Sequence, residues 1–359
     1  MQKKIGMLAV LLAAQLVLAV AMSFTGPSLT AHQPDTPLLA ANLGAPDRLT
    51  LEDADKQKLV LARKADGWIL PDNGDFPADT AKVNRLLDEL KGLKRGLAVA
   101  TTESAQKRFK VSDEAFERRI TLALNDKTLA TLYLGSSPGM HQVSARTAKD
   151  KAVYDTDFGV YDVPVKAQDW EDKDILKLAP AQIASIDLGG ITLSRVAEKP
   201  AAAATARADQ PETASPPAWT ADGLQDGQTL NQSGADTLAQ TLAALTIDSV
   251  IGRESKPDYG LDKPTLTLNL KRADGSSIEY LLGKRDKTAD FVLKVSTRPE
   301  YFRLPGATGN ALVKAAGREQ LVANLSAGTS DSNATTPVPA SGTGAAGTTG
   351  AGKGTSKGG

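Results

Sequence analysis

The segment 265-TLTLNLKRADGSSIEYLLG-283 decides the fold of this chain. Apolar and polar residues alternate from Thr265 to Lys271, which places three leucines on one face of a β-strand. Ala273-Asp274-Gly275 then supplies a polar, glycine-containing turn, and a second strand follows from Ile278 to Leu282. The segment therefore predicts two neighbouring strands that share one buried face.

A similar segment lies earlier in the chain, at 120-ITLALNDKTLATLYLG-135, with Asn125-Asp126-Lys127 as its turn. A tryptophan precedes each segment at a similar distance. Trp68 lies 67 residues before Gly135, and Trp219 lies 64 residues before Gly283. Similar order at similar spacing predicts an internal duplication.

An amphipathic helix is predicted between each tryptophan and its strand pair. Asp79 or Thr80 can cap the first helix, and Ser233 or Asp236 can cap the second. The apolar residues recur at spacings of three and four, which gives each helix one buried stripe: Val83, Leu86, Leu87, Leu90 and Leu93 in the first, and Leu238, Leu242 and Leu245 in the second.

Each copy closes with aromatic, β-like segments, at 153–154 and 160–163 in the first copy and at 291–293 and 301–304 in the second. The predicted fold class is α+β, with an N-terminal transmembrane helix, two similar repeats and a disordered C-terminal tail. Each repeat is a mostly antiparallel sheet with a covering helix. The predicted domains are the first repeat with its connector at 47–180 and the second repeat at 181–322.

Two segments have too few large apolar side chains to form a core: residues 197–218 have none, and residues 323–359 have only Leu325 and Val338. Residues 197–218, rich in Ala, Pro, Glu and Thr, predict a disordered insert in the second repeat, and residues 323–359 predict a disordered tail. Residues 347–355 of the tail look like a glycine-rich phosphate loop. Such a loop needs a buried strand before it and a helix after it, so composition is the better explanation here.

The N-terminus predicts a membrane anchor or a signal peptide at 1–24. Residues 5–24 contain one amide and no charge, and about 20 such residues span a bilayer as a helix. Lys3 and Lys4 precede this run, which predicts a single-pass protein of the inner membrane with a cytoplasmic N-terminus and a periplasmic or otherwise extracytoplasmic bulk. Cleavage after Ala19-Val20-Ala21 stays open. Residues 25–46 predict a spacer.

Composition excludes several classes of function. The 42 basic and 42 acidic residues are interleaved, which argues against a nucleic-acid partner. The chain has no cysteine, so disulfides, thiolate metal sites, a cysteine nucleophile and a lipoprotein anchor are excluded. Only His32 and His141 could supply an imidazole.

Three acidic groups are candidates for calcium binding or glycoside hydrolysis: Asp72 with Asp75, Asp155 with Asp157, and Glu171 with Asp172 and Asp174. None has the ligand spacing of a calcium loop, and solvated turns are the favoured interpretation. A serine–histidine–acid triad would depend on His141 without local support. No catalytic, cofactor-binding or metal-ligating residue is therefore predicted.

The three tryptophans could be ligand platforms or core residues. Trp68 and Trp219 hold matching places in the two copies, which favours packing. Trp170, in the connector 169–176, is the least constrained and is expected to belong to neither core.

Several motifs together resemble a bacterial family called domain of unknown function 4340. They are Gly67-Trp68, Trp170 to Leu176, and Tyr259-Gly260-Leu261-Asp262-Lys263-Pro264 leading to Tyr280-Leu281-Leu282-Gly283-Lys284. The first copy departs from the last motif, with Phe109 to Glu114 in its place. The resemblance covers about residues 1–322 and gives no catalytic residue to carry over.

The family is similar to proteins encoded beside ABC-2-type and gliding-motility-type transporters. The resemblance therefore implies a non-enzymatic, membrane-anchored envelope protein that acts as an accessory or interaction subunit of an ABC-2-type transport system. Its expected partners are a permease and its ATPase. The alternative is a stand-alone periplasmic binding module for glycan or peptide, and the weakest alternative is an envelope hydrolase. The molecule bound or transported stays open.

Overall fold

The computed structural model describes residue 15 and residues 36–39, 44–196, 218–286 and 288–324. The predicted membrane segment, except for Gln15, lies outside these residues, as do the insert except for its last residue and the tail beyond Asn324. No helix within the described ranges is long and apolar enough to cross a membrane.

The first half of the described chain has eleven strands: β1 (Thr36–Pro37), β2 (Arg48–Asp53), β3 (Lys58–Lys64), β4 (Gly67–Leu70), β5 (Phe76–Pro77), β6 (Lys94–Arg95), β7 (Ala98–Ala100), β8 (Arg118–Leu124), β9 (Lys127–Leu134), β10 (Gln142–Thr147) and β11 (Val153–Asp157). Nine of them form one sheet in the order β5-β4-β3-β2-β8-β9-β10-β11-β7, while β1 pairs with β6.

The second half has ten strands: β12 (Ile183–Asp187), β13 (Thr192–Arg195), β14 (Trp219–Asp222), β15 (Gln228–Leu230), β16 (Ser249–Gly252), β17 (Leu266–Arg272), β18 (Ser277–Lys284), β19 (Phe291–Val295), β20 (Tyr301–Leu304) and β21 (Val322–Asn324). Eight of them form a sheet in the order β14-β13-β12-β17-β18-β19-β20-β16, and β15 pairs with β21.

Both sheets are antiparallel throughout their described pairings. If β5 is set aside, the eight remaining strands of the first sheet and the eight of the second follow one another in the same spatial order and in the same order along the chain. With five α-helices among the described residues, the fold is α+β, as predicted.

The five helices are α1 (Thr80–Gly92), α2 (Glu103–Arg108), α3 (Gln232–Ala243), α4 (Gly306–Ala315) and α5 (Arg318–Leu321). Helix α1 begins as predicted, because the Asp79 side chain caps it by accepting from the Lys82 N–H at 2.9 Å. The predicted cap of α3 is wrong. The helix begins at Gln232, so Ser233 and Asp236 lie within it, and its N-cap residue Asn231 makes no side-chain cap bond.

The strand pair β8–β9 forms because its two-residue turn suits the twist of a hairpin. Asn125 and Asp126 both have positive φ, at 49° and 62°. Asparagine and aspartate tolerate this left-handed conformation better than most residues. In β17 the predicted alternation is present, since Leu268 and Leu270 are buried and Leu266 is half-buried.

Three predictions about local structure are wrong. Residues 160–162 form a 3₁₀-helix rather than a strand. Leu38 and Leu39, in the predicted spacer, pack into the first core, where burying two leucines removes their apolar surface from water. Trp170 is fully buried in the same core, and its indole N–H donates to the Pro164 carbonyl at 2.8 Å, so the connector does belong to a core.

Candidate functional site

The two repeated tryptophans make the same set of contacts with their helices. The backbone N–H of Trp68 donates to Thr80 Oγ1 at 3.1 Å, and that of Trp219 donates to Gln232 Oε1 at 2.9 Å. Thr80 and Gln232 are the first residues of α1 and α3. Both tryptophans are almost fully buried, so they are core residues that anchor a helix to a sheet rather than ligand platforms.

The indole nitrogens repeat the pattern. Trp68 Nε1 donates to Asn84 Oδ1 at 3.3 Å, and Trp219 Nε1 donates to Asp236 Oδ1 at 2.9 Å. Asn84 and Asp236 each lie four residues after the first residue of their helix. One turn of each helix therefore satisfies both donors of its tryptophan.

The connector closes one edge of each sheet. Beside β5, the Asp172 N–H donates to the Pro77 carbonyl at 2.9 Å, and Glu171 forms a bridge with Ala78. Beside β16, Glu171 Oε2 accepts from the Val250 N–H at 2.9 Å. Backbone groups at these two edges thus find partners in the connector rather than in another chain.

Glu171 is 3% exposed, and burial raises the pKa of its carboxyl, while the hydrogen bond from the Val250 N–H acts in the opposite direction. Its position between the two sheets explains why a carboxylate motif is found in the connector. The Glu171 carboxylate bonds the edge strand β16 through Val250, and the Asp172 backbone N–H bonds the edge strand β5 through Pro77.

At the outer edge of the second sheet, a side chain bonds the first residue of β14. Gln232 accepts from the Trp219 N–H and donates its own amide to the Trp219 carbonyl at 2.7 Å. Both backbone groups of Trp219 are therefore satisfied by the first residue of α3.

The edge at β7 differs from the other three. Its inner side pairs with β11, but within the described residues no strand or side chain bonds its outer side. Leu97 is 56% exposed and Val99 is 44% exposed. Strand β6 ends three residues before β7 begins, and β1 already pairs with β6 as an antiparallel strand. Thr36 lies opposite Arg95, and Pro37 lies opposite Lys94. An edge with unpaired backbone groups and exposed apolar side chains is a template for strand addition.

Near the start of this edge strand lies a cavity of about 760 Å³. Its lining includes the carboxylates of Glu89, Asp155, Asp157 and Asp162, together with His141. The structure thus brings together His141 and one of the predicted acidic pairs. Ser144 Oγ donates to Asp155 Oδ1 at 2.8 Å, so this carboxylate is already held by a buried serine.

The remaining candidates are not brought together. Lys64 Nζ and Asp75 form an exposed ion pair at 2.8 Å, and Asp72 lies in the short 3₁₀-helix 71–73. His32 lies outside the described residues. Within the described part of the chain, no group of three histidine or acidic residues could hold a metal ion.

Sequence reasoning missed the β7 edge and a buried ionic cluster. Glu300 is 2% exposed, with Arg253 at 2.9 Å and Arg298 at 3.2 Å from its carboxylate oxygens. Arg253 also donates to the Gly74 carbonyl at 2.6 Å, which ties the second half to the first. Strand β7 is only three residues long, so its sequence gives no clear strand pattern. Only the pairing of the other strands shows that β7 is an edge strand.

The fold and its edges define a class: an α+β protein of two antiparallel sheets with matching strand order, joined by a buried connector. The chain belongs to the family described as domain of unknown function (DUF4340), whose family model matches residues 68–264, more than half of the chain. The resemblance predicted from the motifs is thereby confirmed. No curated protein and no solved structure matches the chain.

Proposed function

We propose that this chain is a non-enzymatic, membrane-anchored envelope protein and an accessory or interaction subunit of an ABC-2-type transport system. The N-terminal helix would lie in the inner membrane, and the bulk would lie outside the cytoplasm. The observation that carries the proposal is the open β7 edge, with its exposed Leu97 and Val99. At each of the other three sheet edges the chain itself bonds some outward-facing backbone groups, so among the described edges β7 is the most open to a partner strand.

The two halves would be copies of one ancestral α+β unit. Their strand order supports this, as do the matched contacts of Trp68 and Trp219. Residues 48–165 should superpose on residues 183–305 once the insert 197–218 is omitted. A duplication places two similar sheets in one chain, and of their described edges β7 is the one whose outer side has no bond to the chain itself.

The test is co-purification of the full chain from its native membrane in mild detergent. The wild type should bring down a permease and an ATPase in stoichiometric amounts. Val99→Lys should lose them, because a lysine on the edge strand blocks strand addition. Val196→Lys is the matched control, since Val196 is 45% exposed but lies on the second half, and it should keep both partners.

Two outcomes would contradict the proposal. If the wild type brings down neither protein, the transporter role is wrong. If all three proteins keep them equally, the role stands but the β7 edge is not the interface. A reporter fused after Leu325 should be active only outside the cytoplasm, and a native N-terminus at Met22 would show that the anchor is cleaved.

The alternative function is a stand-alone binding module for glycan or peptide. The cavity of about 760 Å³ favours it, because ligand pockets typically enclose ~300–1,000 Å³. Such a module would be recovered alone from the membrane, which the same purification distinguishes.

A further inference from the structure

A second, smaller cavity of about 260 Å³ opens between the N-terminal segment and the first sheet. Leu38 and Leu39 form one wall, and Leu129 and Ala130 of β9 form the other. The N-terminal wall is held in place because the Leu38 N–H donates to the Leu93 carbonyl at 2.7 Å. The interior of this cavity is therefore apolar and has a defined shape.

Its rim carries positive charge. Arg95 and Lys149 line the opening, and no aspartate or glutamate is among the lining residues. Within the described chain Lys149 has no ion-pair partner. The Arg95 side chain makes no hydrogen bond to another described residue, and its buried Nε atom has no partner. Its contacts are a 3.6 Å approach to Asp150 and a guanidinium position 5.3 Å from the Tyr154 ring.

Three threonines also line the cavity. Thr128, Thr131 and Thr147 line the same cavity, and none of their side chains has a partner within the described residues. A hydroxyl can donate to an anion, and so can guanidinium and ammonium groups. The cavity thus combines apolar walls with donors that can bind an anion, and of these only Arg95 has an ion-pair partner among the described residues.

We propose that this cavity binds the chain of a single-chain anionic amphiphile, with a carboxylate at the Arg95–Lys149 rim and the alkyl chain against Leu38, Leu39 and Leu129. Charge complementarity selects an anion, because Asp150 forms an ion pair with Arg95 and no described carboxylate forms one with Lys149. The volume lies just below the ~300 Å³ of small ligand pockets, so it takes part of one chain rather than a two-chain lipid. The site is independent of the proposed transporter role.

The test is photolabelling of the full chain, purified in a neutral maltoside detergent. The probe is dodecanoate with a diazirine near its methyl end, and its matched control is the uncharged diazirine dodecanol. Labelled peptides are located by mass spectrometry. The dodecanoate should label residues 37–39 or 128–131, and the alcohol should label them several-fold less.

Variants separate charge from shape. Lys149→Gln should weaken dodecanoate labelling about threefold, and the double variant Arg95→Gln/Lys149→Gln about tenfold, since each exposed charge contributes modestly to an ion pair. Ala130→Leu should abolish labelling by filling the cavity. Lys127→Gln is the control, since it removes a neighbouring exposed charge that does not line the cavity and should leave labelling unchanged.

Three results would overturn the proposal. Equal labelling by acid and alcohol would show that the rim does not recognise charge. Labelling confined to other peptides would show that the cavity is not the site. Labelling that excess phosphatidylglycerol removes, and that unlabelled dodecanoate does not, would assign the cavity to a phospholipid instead.

Discussion

Three tryptophans are buried to 2% exposure or less: Trp68, Trp170 and Trp219. Trp68 and Trp170 pack in the first core and Trp219 in the second. Replacing a buried tryptophan with alanine typically costs ~3–5 kcal/mol of unfolding free energy, because apolar contacts are lost and a cavity remains. The three alanine variants should therefore lose similar amounts, measured by urea denaturation. A loss below about 1 kcal/mol for Trp170→Ala would contradict the burial of Trp170 and would mean that the connector lies at the surface.

Glu171 gives the chain a pH dependence of known sign. Burial raises the pKa of its carboxyl in the folded state, so the folded chain holds the proton more tightly than the unfolded chain. The contribution of Glu171 to stability is therefore complete below the ordinary glutamate pKa and is lost as the pH rises through the raised value.

Glu171→Gln removes this titration but keeps an oxygen that can accept from the Val250 N–H. The difference in unfolding free energy between wild type and variant should shift in favour of the variant as the pH rises across that window. Denaturant titrations at a series of pH values measure it. Parallel profiles for the two proteins would mean that Glu171 is hydrated in the folded state.

At the scale of single elements, the two helices test what a side-chain cap contributes. Asp79 caps α1 through the Lys82 N–H, whereas Ser233, one of the two residues predicted to cap α3, lies inside that helix. Asp79→Ala should cost about 1 kcal/mol, since an orphan helix donor loses its acceptor. Ser233→Ala should change stability by less than about 0.5 kcal/mol, as for other exposed positions. Equal losses from both variants would contradict the observed start of α3.

The elements also show which structure can be predicted from sequence. Strands β8, β9, β17 and β18 followed from local alternation and turn residues, and α1 from its cap and stripe. The start of α3 could not be predicted, because Gln232 serves Trp219, a partner 13 residues away, instead of a local cap. The burial of Trp170 and the edge contacts of the connector could not be predicted either, because they depend on how distant segments pack. The bond between Val250 and Glu171, for example, joins residues 79 positions apart. Of the candidate site, His141 and Asp155–Asp157 were recognised as residues but not as neighbours.

At the scale of the whole molecule, the connector and β5 join the two sheets. Phe76 belongs to β5 of the first sheet, yet it packs in the second core. Its ring centroid lies 6.3 Å from that of Phe302, and the Arg298 guanidinium lies 5.4 Å from its ring centroid. Arg298 and Arg253 in turn hold the buried Glu300 carboxylate. The two halves are therefore expected to unfold together.

Phe76→Ala should uncouple them. Deleting the ring leaves a cavity between the halves and typically costs ~3–5 kcal/mol. The two halves can be followed separately by fluorescence. Trp219→Phe leaves tryptophans only in the first core, and Trp68→Phe/Trp170→Phe leaves one only in the second. With Phe76 in place, both probe variants should show the same single urea transition. Adding Phe76→Ala should separate these two transitions.

Phe116→Ala is the matched control, because Phe116 packs against Tyr133 in a small cluster within the first half. It should lower stability and leave the two probes coincident. Coincident transitions in the Phe76 variant would mean that the connector alone couples the sheets.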